Sequence, residues 1–109
     1  MEATLANAIT TTTTGPYVAI QPIGATEPLV VEVFGKYLGT SGAFSITVEL
    51  QGSADASSFT AISTHVLTGT AESKPFAVQI KVPKPYLCAE VTAISGTGAS
   101  FSLGCRFPA

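Results

Sequence analysis

Tryptophan is absent from this 109-residue chain, histidine occurs once, cysteine twice, and only five cationic and seven acidic side chains are spread along it. Each shortage excludes something. Charged residues make up 11% of the chain, about half the usual share of a soluble domain. The cations Lys36, Lys74, Lys81, Lys84 and Arg106 form no run, and the net charge is −2 with a pI near 5.1. A chain that binds DNA or RNA needs a Lys/Arg stripe to neutralise phosphates, so nucleic acid is not an expected partner. No apolar run approaches the roughly 18 residues of a membrane span, so no membrane is expected either. The N-terminal stretch MEATLANAITTTTTGP has Glu2 where a signal peptide carries positive charge, and it lacks a continuous apolar region. The expectation is a chain of cytoplasmic origin.

Catalytic and metal chemistry find little to work with. A nucleophile–His pair could use only His65, which lies between Thr64 and Val66 with no carboxylate beside it in sequence. A histidine on a strand face or in the core is the plainer reading. One His, two Cys and scattered carboxylates give no metal-ligand spacing. Asp55 in GSADASS sits in an oxygen-rich loop, but no second acidic residue falls within it. An Asx or Ser turn that closes a hairpin accounts for it better than a calcium site. Gly35, Gly39, Gly42 and Gly52 make no phosphate-binding loop. Glu32, Glu49 and Glu90 fall on outward strand faces, where solvated glutamates belong. No enzyme and no cofactor are expected.

What the chain does have is apolar and β-forming residues. Hydrophobic content is 46%, and a single domain of this length buries about 65% of its unfolded surface. Thr and Ser supply the polarity. That suits a surface that packs against other subunits, and equally an ordinary β-rich domain with Thr-covered sheet faces. Residues 1–16 stand apart as a Thr-rich segment, with Thr10, Thr11, Thr12, Thr13 and Thr14 in a row and Gly15-Pro16 at its close. It reads either as a frayed terminus or as an extended arm that adds a strand to a neighbouring subunit, anchored by Leu5 and Ile9. Residues 17–109 form the second unit, a run of strands with turn signals every 8 to 15 residues.

Tyr17–Gln21 is a short strand ended by Pro22. Leu29–Tyr37 begins apolar on both faces, as in a strand covered on both sides. Ala43–Gln51 alternates cleanly, with Phe44, Ile46, Val48 and Leu50 on one face. Phe59–Leu67 follows, then Phe76–Val82 with Phe76, Val78, Ile80 and Val82 inward. Tyr86–Ile94 and Phe101–Phe107 complete seven strands, or eight if the arm pairs. Pro83 and Pro85 around Lys84 mark a strand that crosses from one sheet to another. No stretch has helical periodicity with caps. The fold expected is all-β, an antiparallel β-sandwich of jelly-roll-like type.

The cysteines are placed by alternation. If Gly96-Thr97-Gly98 is a three-residue hairpin loop, Ala93 pairs with Phe101, Val91 with Leu103, Ala89 with Cys105 and Leu87 with Phe107. Cys88 then points away from Cys105. A two-residue loop would face the cysteines but would also pair Glu90 with Leu103. Two free thiols are expected, with Cys105 acting as a core hydrophobe.

The segment FSITVELQGSADASSFTAIS, an alternating strand ending in Leu-Gln, a Gly/Ser/Asp loop and a strand opening Ile-Ser, resembles small virion proteins of tailed phages. Its continuation, SKPFAVQIKVPKPYLCAEVTAISGTGASFSLGCRF, extends the likeness over about residues 29–107. The chain is similar there to capsid decoration (cement) proteins of the kind found on Bordetella-phage-type virions. The resemblance implies a protein made in the bacterial host cytoplasm that binds the outer capsid surface and bridges adjacent major-capsid subunits. It implies a homo-oligomer, dimer or trimer, with the major capsid lattice as partner. Leu5, Ile9, the threonines Thr10 to Thr14, Asp55, Lys81 and Lys84 are then the candidate contacts, with solvated lysines and a solvated loop as the alternative. A second expectation is a carbohydrate- or receptor-binding module of a phage tail or fibre.

Overall fold

A computed structural model describes residues 1–22, 24 and 27–108. Nine strands follow in order: β1 (Glu2–Ile9), β2 (Thr13–Thr14), β3 (Val18–Ala19), β4 (Leu29–Leu38), β5 (Ser41–Ser53), β6 (Thr60–Thr70), β7 (Ser73–Val82), β8 (Tyr86–Thr97) and β9 (Ser100–Arg106). Period-2 alternation decides most of them. On β5, Phe44, Ile46, Val48 and Leu50 are buried while Ser45, Thr47 and Glu49 face outward. On β7, burial alternates down the strand and ends on Ile80 and Val82 in the core.

All pairings are antiparallel, and they build two sheets with strand orders β1-β9-β4-β7 and β2-β8-β5-β6. Both short strands, β2 and β3, pair with β8, so they act as one interrupted strand. With the two counted together, this is the strand order of an eight-stranded jelly roll, as the alternation and turn spacing led one to expect. Among the long strands only β5 and β6 are sequential neighbours in one sheet; the others cross between sheets at each turn. The Pro83-Lys84-Pro85 segment is one of these crossings, from β7 to β8.

The connections sort to two ends. At the arch end, short crossings tie to one another: Gly39 N–H donates to Glu72 O (3.1 Å), Thr40 N–H to Thr97 O (2.9 Å) and Ala71 N–H to Gly42 O (3.0 Å). At the loop end lie residues 54–59, residues 83–85, residues 20–22 and both ends of the described chain. There Ile20 N–H donates to Pro85 O (2.8 Å), Gln21 Nε2 to Val82 O (3.0 Å) and Phe107 N–H to Met1 O (2.8 Å).

Three expectations need correction. The first 16 residues are not an arm apart from a second unit. β1 is an edge strand of its own sheet, paired with β9 from Glu2↔Arg106 to Ile9↔Phe101, and Leu5 is fully buried in the common core. The alternation there is hidden because register breaks between Thr4 and Ala6 and between Ala6 and Ile9 disrupt the period of two. Packing is close: a Cβ on Gly15 would lie 2.5 Å from the Leu5 carbonyl oxygen, so only glycine fits.

The second concerns β8 and β9, which are not a hairpin. β8 belongs to one sheet and β9 to the other, and the pairs Ala93–Phe101 and Val91–Leu103 do not form. Gly96 and Gly98, both at positive φ, turn the chain through an arch instead. Leu87, Ala89 and Val91 share the core with Phe101, Leu103 and Cys105, each set on the inner face of its own sheet. Both thiols are free, as expected, but because the arch puts them in different sheets. Cys105 is in the core as expected, whereas Cys88, expected to point away from it, is buried too, against Gln51.

Third, β4 is central between β9 and β7 yet covered on one face only. Its outer face carries Val30, Glu32, Phe34 and Lys36, with Val30 38% exposed.

Candidate functional site

Asp55 organises the β5–β6 turn at the loop end. Its Oδ1 accepts hydrogen bonds from Ser57 N–H and Ser58 N–H (2.9 Å each) and from Ser53 Oγ (2.9 Å). Ser53 Oγ in turn accepts Asp55 N–H (3.2 Å) and Ala56 N–H (3.0 Å), and Ala56 sits at φ 61°. Hydrogen bonds from the Ser58 and Ser57 amides and the Ser53 hydroxyl hold the Asp55 carboxyl below its ordinary value of 3.8. The carboxylate is thus used inside the loop, which is the Asx-type turn read from the sequence.

Beside this loop three aromatic rings meet. Tyr17 lies edge-on to Tyr86 at 5.4 Å and tilted against Phe59 at 6.4 Å, and Tyr17 is 54% exposed. β8 register puts Tyr86 opposite Ser53, the first residue of the Asp55 network, so the rings and the loop form one surface. Lys84 belongs to the same end; it is half-buried, with its aliphatic stem near the Cα of Gly52.

The other sequence candidates scatter. Leu5 is core, and Ile9 is half-buried opposite Phe101. Thr10, Thr11 and Thr12 are exposed in the crossing from β1 to β2 at the arch end. Thr13 and Thr14 form β2, opposite Val91 and Glu90, and Thr14 Oγ1 donates to Glu90 Oε2 (3.0 Å). Lys81 is exposed on the outer face of β7 across from Val30. Only Asp55 and Lys84 are brought to one surface.

Two clusters on the outer sheet faces carry further chemistry. On the β8 sheet, Glu49 directly faces Glu90. Gln51 Nε2 donates to Glu49 Oε1 (2.7 Å), and the buried Cys88 thiol donates to Gln51 Oε1 (3.4 Å). Burial first, then the Glu90 and Glu49 charges, pushes the Cys88 thiol from 9.0 up to about 11, so it is inert at neutral pH. On the β9 sheet, Arg106 bridges Glu2 (Nη2–Oε1, 2.8 Å) and Glu32 (Nη1–Oε1, 2.6 Å) and lies 5.1 Å over the Phe34 ring. An open groove of about 540 Å³ runs beside them past Thr4, Asn7, Phe34, Lys36 and Ser102.

His65 faces inward on β6, edge-on to Phe76 at 5.3 Å, with Ser63 Oγ 3.0 Å from Nε2. That spacing matches a nucleophile and base, but no third group orients the ring among the described residues. The same residues contain no group of three or more potential metal ligands.

Sequence reasoning missed the Tyr17–Phe59–Tyr86 surface and the Glu2–Arg106–Glu32 bridge. Both join residues far apart in the chain, so only strand register reveals them. The exposed Tyr17 just before a short strand was the single local signal. No family model, curated protein or solved structure matches this chain.

Proposed function

We propose that this chain is a capsid decoration (cement) protein of a tailed phage, a virion structural component that binds the outer face of the major-capsid lattice and bridges its subunits. The observation that carries the reading is a loop end held in place in advance by the Asp55 hydrogen bonds. Asp55 fixes the β5–β6 loop before any partner arrives, so little conformational entropy remains to be lost on docking. The carboxylate is already bonded within the loop, and the surrounding Ser and Thr side chains are cheaper to desolvate than ions. A body 45 Å long built of two hydrogen-bonded sheets suits a part that bridges neighbouring subunits. Modest contacts then add up over many identical copies on a symmetric shell.

The test is direct binding to expanded shells that lack the protein. Saturable binding, together with a higher rupture temperature of the shell, is expected. Failure to bind shells while host cells or glycans are bound would remove the reading.

A second reading, a carbohydrate- or receptor-binding module of a tail or fibre, is favoured by the Tyr17–Tyr86–Phe59 surface. An exposed ring beside hydroxyl-bearing side chains is a means of holding a sugar face. Jelly rolls serve both capsids and lectins, so the fold does not decide. Glycan binding that Tyr17→Ala abolishes would support this second reading.

A further inference from the structure

Among the long strand edges of the described fold, β6 carries the least against pairing, a single irregularity near Ile62 at one end. β1, β7, β6 and the short β2/β3 strand bound the two sheets. β1 carries two register breaks, β7 holds Lys74, Pro75 and Lys81, and β2 and β3 have 2 residues each. Bulges, lysine and proline are how natural sheets blunt an edge. β6 runs from Thr60 to Thr70 with no Lys, Arg, Asp, Glu or Pro. After a single irregularity near Ile62 it pairs regularly with β5 from Ser63 to Thr70, and its other side is open. We propose that β6 is the joining edge of a homodimer, in which a second copy adds its own β6 antiparallel about a two-fold axis and makes one sheet continuous across both molecules.

Symmetry restricts the register. A two-fold axis normal to the sheet keeps each side chain on its own face, so the axis must pass where one residue faces itself. Val66 is the natural centre: it points outward, and at 63% exposed it is the barest large apolar side chain within a described strand. With Val66 facing its own copy, Thr64 faces the second copy's Thr68 on the same outer surface. Thr–Thr and β-branched pairs of this kind stabilise sheets. A charged residue in a self-paired strand would sit near its own like charge, so an uncharged β6 fits a second copy better than a charged partner segment. The edge is about 35 Å long at ~3.3 Å per residue, on a body whose shortest axis is 18 Å. That offers roughly 600 Å² per copy, at the lower bound of a stable two-fold interface. The pairing does not depend on what the dimer binds.

Facing Cβ atoms in such a pair lie about 5 Å apart, within reach of a disulfide after slight adjustment. Val66→Cys, oxidised in the folded chain, is therefore expected to run mainly as a covalent dimer on a non-reducing gel. Val30→Cys, on the outer face of β4, should not cross-link. The unaltered chain should sediment at twice its mass, and Val66→Lys at the mass of one chain while still unfolding cooperatively, its melting temperature lowered only by the lost association. A wild-type monomer or trimer overturns the proposal. So does a dimer that survives Val66→Lys and that Val66→Cys fails to cross-link.

Discussion

On one side of the sandwich the chain itself crosses between the sheets, from β1 through Thr10–Thr12 to β2 and β3; on the other, β6 and β7 lie as two long edges joined by the arch at residues 71–72 and by the His65–Phe76 contact. The first side is closed by bulges, short strands and the buried Leu5. On the second side, β7 is guarded by lysines and a proline while β6 is bare. The difference teaches that an edge is protected by local chemistry, and the proposed dimer puts its second copy where that chemistry is sparse.

The largest expected effect comes from breaking the closed side. Leu5→Ala removes a fully buried side chain and should cost about 2–5 kcal/mol of stability in urea unfolding. Removing residues 1–9 should abolish folding, because it uncovers β9 along its length; a folded deletion product would mean that β1 only decorates the sheet. Next comes the open side, where Val66→Lys should split the dimer and leave each chain folded, with a melting temperature that no longer depends on protein concentration, read by sedimentation and by thermal melting.

The third effect lies under the closed side. Folding raises the Cys88 pKa, so the stability contributed by its protonated thiol is complete below pH 9 and is lost as pH rises through about 11. Denaturation midpoints measured between pH 8 and pH 11 should fall over that window, as a flat profile would not allow.

A smaller change is expected from Glu90→Gln, which removes the like charge opposite Glu49 while keeping an acceptor for Thr14. It should raise stability by about 0.2–1 kcal/mol at low salt and by less in about 1 M salt. The smallest effect is at the loop end of the open side. The Asp55 pKa is lowered in the fold, so its contribution is present above 3.8 and is lost as pH falls through the lower, folded value. Ser57 and Ser58 amide shifts should titrate below 3.8 in the intact chain, and Ser53→Ala should move that midpoint upward.

Much of this fold was legible in the sequence, and the limits are instructive. Phe44, Ile46, Val48 and Leu50 announced β5, and Pro83-Lys84-Pro85 announced a crossing, because alternation reports which face is buried and proline reports where a ladder stops. Alternation does not report the partner. Leu87, Ala89 and Val91 would look the same beside Phe101 and Leu103 in a hairpin as they do facing them across the core, and so the arch went unseen. EATLANAI concealed β1 because its bulges interrupt the period on which the reading relied. At the loop end, GSADASS disclosed its turn through residue chemistry alone, whereas Tyr17, Phe59 and Tyr86 needed register to meet.

Copy number in intact virions tests the functional account most directly, by quantitative mass spectrometry against the major capsid protein. A decoration protein should be present on the order of hundreds of copies, in a fixed ratio to the capsid lattice. A count of roughly twenty or fewer would place the chain on the tail and contradict the account.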